Sequence, residues 1–129
     1  RLKENPQADV SGFRDFYIEH MYDRAVFYDG LADQLTGRKI SHTILLHHNL
    51  ASALFLDDLI AHFKKMGWEI MDADEAFKDP IFEEVPMVIP AGESLIWALA
   101  KQSGKYDKDL RYPAENGDYL KAKMDSLGL

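Results

Sequence analysis

The run Ile40-Ser41-His42-Thr43-Ile44-Leu45-Leu46-His47-His48-Asn49 most constrains what this chain can fold into. Its consecutive apolar residues Ile44, Leu45 and Leu46 fit a strand covered on both faces, as in a parallel sheet flanked by helices. The polar residues that follow then fall at the carboxyl end of the strand, which is where α/β folds bind ligands. Residues 40–47 are therefore expected to be a strand. A second helix over 54–66, closed by Gly67, and a short strand over 68–71 follow it. Strand, helix and strand in this order predict a βαβ unit with a right-handed crossover. Two strands make no stable sheet by themselves, so such a unit asks for more strands than this sequence supplies.

A long amphipathic helix precedes that unit. Phe13, Tyr17, Met21, Ala25, Tyr28, Ala32 and Leu35 recur at three- and four-residue spacing and form one apolar stripe. Ser11 is the expected N-cap and Gly37 the expected C-cap. On the second helix Leu56, Leu59, Ile60 and Phe63 are expected to face inward. Further on, residues 74–77 suggest a helical turn. Residues 79–90, with Pro80, Pro86 and Pro90, read as an extended connection. A third helix is expected over 93–102, with Leu95, Ile96, Trp97 and Leu99 apolar, and a last one over 119–126.

With 47% hydrophobic residues among 129, the chain has the material for one core and is not disordered by composition. A net charge of −7 argues against the nucleic-acid backbone as a partner. Having no cysteine, the chain forms no disulfide and no thiolate metal site. No run is apolar enough to span a bilayer, and no signal peptide is visible. The sequence opens at Arg1, which reads as a processed or excised piece.

His47 is the candidate with chemistry. An imidazole at a strand's rim is suited to general acid catalysis, because its ordinary pKa lies near neutrality. On local sequence alone, a histidine hydrogen-bonded into the sheet edge is the more common outcome. His42 and His48 would lie about 20 Å apart along a strand, too far to share an ion. Asp58 and His62 stand four apart on a helix, as do Glu19 and Asp23; such pairs usually face solvent. Arg111, Tyr112, Pro113 and Tyr119 suggest a polar edge or a surface-packed tail. No glycine-rich phosphate loop, nucleophile elbow or His-Glu-x-x-His helix is present.

Three segments carry a resemblance to a known family. They are Ile44-Leu45-Leu46-His47-His48-Asn49, Ala53-Leu54-Phe55-Leu56-Asp57-Asp58-Leu59-Ile60 and Gly67-Trp68-Glu69-Ile70-Met71-Asp72-Ala73. With Pro90-Ala91-Gly92-Glu93-Ser94-Leu95-Ile96-Trp97-Ala98-Leu99 and Leu110-Arg111-Tyr112-Pro113-Ala114-Glu115, the chain resembles the C-terminal part of NodB-type polysaccharide deacetylases. That resemblance implies a partial (β/α) barrel, an α/β fold, over residues 1–129. It implies a hydrolase that removes acetyl groups from a polysaccharide or related amino-sugar substrate, using a divalent metal, commonly zinc. His47 matches the late proton donor of the family. Leu45 matches the leucine that lines the acetyl-methyl pocket, and His48 and Asn49 would be neighbouring substrate-side residues. The family's aspartate motif and its His-x-x-x-His metal motif are absent from this sequence. The base and metal ligands would then lie on an upstream segment, and the lone chain would be inactive. The partner would be that N-terminal half, or a second copy. Relatives acting on polymers are usually exported, which implies the cell envelope or exterior. The competing reading is a non-catalytic α/β module that binds glycan or protein.

Overall fold

A computed structural model describes residues 1–90, 92–106 and 110–129. Ala91, which belongs to one of the segments carrying the resemblance, lies outside them. Among the described residues five α-helices follow in order: α1 (Ser11–Thr36), α2 (Leu50–Lys65), α3 (Ala73–Ala76), α4 (Leu95–Ser103) and α5 (Gly117–Ser126). Short 3-10 turns occupy Pro80–Glu83 and Pro113–Glu115. Among the described residues there is no strand. The expected α/β fold, with its partial (β/α) barrel and βαβ unit, is thereby corrected to an all-helical arrangement.

The helices arise where the periodicity places them. α1 ends at Gly37, whose φ of 69° is left-handed, and the Gly37 amide donates to the Asp33 carbonyl. Glycine adopts that conformation without the Cβ clash that other residues meet. Ser11 is not the cap: it is the first helical residue, and its amide donates to Asp9 Oδ1 at 2.9 Å. α2 starts four residues earlier than expected, because Asn49 caps it by accepting a hydrogen bond from the Ser52 amide. Ser94 caps α4 in the same way through the Trp97 amide.

Helix α1 is the spine, and both α2 and α4 pack on it. Against α2, Tyr17 meets Phe55, and Tyr22 lies edge-on to Phe63 and His62. Phe55, Leu59 and Phe63 are the buried residues of α2, so its inner face sits one residue from part of the expected set. At the other end of α1, Leu31 and Ala32 join Ile81, Ile96 and Ala100 in the main core. The small alanines let α1 and α4 approach closely, with Ala100 fully buried and Ala32 1% exposed.

The two expected strands are extended segments without a ladder. A strand needs partner backbone to take its amides and carbonyls. Residues 42–47 and 69–71 make no backbone–backbone hydrogen bond among the described residues. Next to them the Ser41 hydroxyl lies 3.8 Å from Met71 Sδ, and the His42 ring lies near that of Trp68. Ile40 does reach the core, but Ile44 is 45% and Leu45 86% exposed. Consecutive apolar residues here mark an uncovered surface and not a strand buried on two sides.

The close approach of α1 and α4 makes a direct prediction. Ala100→Leu forces three further heavy atoms into a filled site and is expected to destabilise the fold by about 1–3 kcal/mol. A urea titration of wild type and variant, followed by circular dichroism, measures it.

Candidate functional site

The structure separates the residues that the sequence singled out. Leu45, His47, His48 and Asn49 all lie on the exposed surface leading into α2. None stands at a sheet rim, since no sheet is formed among the described residues. The main-chain carbonyl of His47 accepts a hydrogen bond from the Ser52 hydroxyl at 2.9 Å. Asn49 is the N-cap of α2, accepting from the Ser52 amide at 3.0 Å. Its role seen here is therefore structural, and the preference of asparagine for N-caps was the signal for it. His47, His48 and Asn49 approach the helix N-terminus together, with Leu45 two residues upstream.

The upstream end of this segment is pinned by a carboxylate that sequence reasoning missed. Asp79 accepts from Arg38 through Nη1 at 3.0 Å and Nη2 at 2.6 Å. It also accepts from the Ser41 amide and the Ile81 amide, each at 2.9 Å. The Arg38 hydrogen bond, helped by the two amides, holds the Asp79 carboxyl far below the usual aspartate range. The bidentate geometry adds direction to the charge attraction. Asp79 thus ties the end of α1, the start of the extended segment and the 3-10 turn into one knot. Asp followed by Pro at the head of a turn was the available signal.

A second pin stands beside it. Asp29 Oδ1 lies 3.2 Å from His42 Nε2, and Asp29 Oδ2 accepts from Lys39 Nζ at 2.9 Å. Burial opposes ionisation of Asp29, but the bonds from Lys39 and His42 outweigh it and lower its pKa. His42 is accordingly a partner of a helix carboxylate.

The remaining candidates are structural contacts. Arg111 pairs with Glu93, tying the C-terminal stretch to the start of α4. The Tyr28 hydroxyl donates to Glu115 Oε1 at 2.8 Å, and Arg24 reaches the same oxygen at 3.0 Å. Burial and the bond to Glu115 push the Tyr28 hydroxyl up to about 12. Tyr112 packs on Phe27 and His20, where burial, then the nearby Arg24 charge, lowers the His20 pKa. Trp97 is buried in the α4 face and carries Lys101 over its ring. His62 lies against Tyr22, and Glu19 meets Lys123 at 3.4 Å, so neither spaced pair forms a ligand set. Among the described residues, no three His, Asp or Glu side chains come together to hold a metal ion. No helix among them is long and apolar enough to cross a membrane.

No protein family, no curated protein and no solved structure matches this chain.

The Asp79 knot has a pH signature. Its folded-state pKa is depressed, so the stability it contributes is complete above the ordinary aspartate pKa, near 3.9. That stability is lost as pH falls through the range below. Asp79→Asn is expected to cost about 1–2 kcal/mol at pH 7, as for a part-exposed charged hydrogen-bond acceptor. The gap between wild type and variant should close as pH drops from about 5 towards 2. Thermal unfolding across that range measures both effects.

Proposed function

We propose that this chain supplies the proton-donating histidine, His47, of a hydrolase that removes acetyl groups from an amino-sugar polymer. The observation that carries the reading is the presentation of Leu45 and His47 on an uncovered extended segment, immediately before an N-capped helix. The likeness of residues 44–49, 53–60 and 67–73 to NodB-type deacetylases supports the same assignment.

In this reading His47 acts on the leaving group. Water adds to the acetyl carbonyl as the base takes its proton, and the bond from that carbon to the sugar nitrogen breaks. The His47 ring N–H passes its proton to the departing nitrogen. Acetate and a free amine are the products, and the ring is left neutral. A nearby alcohol ester would leave in the same way, through oxygen. Leu45 would offer an apolar wall to the acetyl methyl group.

A divalent metal, zinc by the resemblance, would polarise the carbonyl and activate the water. The described residues do not make up its ligand set, so its ligands and the base belong, in this reading, to polypeptide outside these residues.

The uncovered surface supports a docking partner of that kind. The accessible area is 9186 Å², roughly 2,000 Å² more than a compact protein of 14.8 kDa exposes. Ile44, Leu45, Ile70, Met71 and Phe77 are among the exposed apolar residues near the extended segments. An excess of this size is more than twice the ~800 Å² that one partner contributes to a standard protein–protein interface. The partner is the complementing part of the enzyme, and the site of action is the cell envelope or exterior, where such polymers lie.

The test is acetate release from a chitin pentamer by the full-length native polypeptide, supplied with zinc. His47→Ala is expected to lower kcat by about 10²–10⁴-fold with little change in KM, as for loss of a general acid. Turnover within a few-fold of wild type, or no acetate release by wild type, overturns the reading.

A further inference from the structure

The segment that bears His47 is anchored unequally at its two ends. Upstream anchors act at Ser41 and His42, through Asp79 and Asp29. From there to His47 no backbone–backbone hydrogen bond holds the chain among the described residues. The nearest fixed point to the imidazole is therefore downstream, at Ser52 in the first turn of α2.

Ser52 makes two separable bonds. Its amide donates to Asn49 Oδ1 at 3.0 Å, which is the helix cap. Its hydroxyl reaches back five residues to the His47 carbonyl at 2.9 Å. The first bond belongs to α2 and survives loss of the hydroxyl. The second bears on the backbone rotation that aims the His47 side chain.

We propose that Ser52 is the positioning residue for His47, fixing through the His47 carbonyl the backbone from which the imidazole projects. This rests on the deacetylase reading of His47 and deepens it. A general acid must lie within hydrogen-bond reach of the atom it protonates, and displacement by about 1 Å costs on the order of 100-fold in rate. Freeing the downstream end of a stretch otherwise held only at Ser41 and His42 produces part of that loss.

Acetate release from the chitin pentamer, with zinc and the full-length native polypeptide, tests the assignment. Ser52→Ala, Ser52→Thr, His47→Ala and the Ser52→Ala/His47→Ala double variant are compared. Ser52→Ala is expected to lower kcat about tenfold with KM within about twofold, a loss confined to the chemical step. Ser52→Thr, which keeps the hydroxyl, restores the rate. The double variant is no slower than His47→Ala alone, because the two residues act as a unit. The thermal midpoint of Ser52→Ala stays at the wild-type value, because the Asn49 cap remains.

Two results overturn the assignment while leaving the role of His47 standing. One is a wild-type kcat in Ser52→Ala beside a crippled His47→Ala. The other is an equal further loss when Ser52→Ala is added to His47→Ala. An active His47→Ala overturns the deacetylase reading itself, and with it this one.

Discussion

Burial of the α1 stripe is the interaction on which the rest of the structure depends. A helix of 26 residues cannot stand alone in water with Tyr17, Leu31, Ala32 and Leu35 on one side. Its first half takes α2 through aromatic contacts at Tyr17 and Tyr22, and its last turns take α4 through Leu31 and Ala32. The C-terminal stretch is tied to the same helix by Tyr28 and Arg24, which share the Glu115 carboxylate. The packing of α2, α4 and the C-terminal stretch thus refers back to one cylinder, while Asp79 and Glu93 fasten connecting segments away from it.

Charge does the local fastening that apolar burial leaves undone. The stretch between α1 and α2 has few buried groups, and it is held where Asp79 and Asp29 accept from its backbone and side chains. The Asp79 side chain is 10% exposed against 44% for Arg38, so its bonds to the two amides are better shielded from solvent than the ion pair is. Beyond His42 the chain is free of such fastening until Ser52 and Asn49 receive it at the head of α2. The result is an extended arm, fixed at both ends, that offers Leu45 and His47 outward.

That arm links the architecture to the proposed chemistry. An exposed backbone with adjacent apolar side chains is a template for another polypeptide. In the proposed enzyme the partner that covers it also brings the base and the metal ligands, while this chain contributes the proton donor. A histidine carried on a stretch with its own anchors can keep its aim when the rest of the site is assembled around it.

The amino-acid sequence by itself determined the helices. The spacing of Phe13 to Leu35, the stop at Gly37 and the later stops at Gly67 and Gly104 are local signals for these helices and their ends, although the Asn49 cap starts α2 four residues before its expected start. Local signals also misled in one respect: Ile44 to Leu46 has the composition of a covered strand, and Trp68 to Met71 of its neighbour. A helix satisfies its backbone within its own turns, whereas a strand must borrow its hydrogen bonds from distant residues. Whether those segments pair was therefore decided only in the tertiary structure, which gives them no backbone partner among the described residues. The same holds for the pins. Asp79 and Ser41, Asp29 and His42, and Tyr28 and Glu115 are brought together by the packing of helices. No spacing along the chain could announce them.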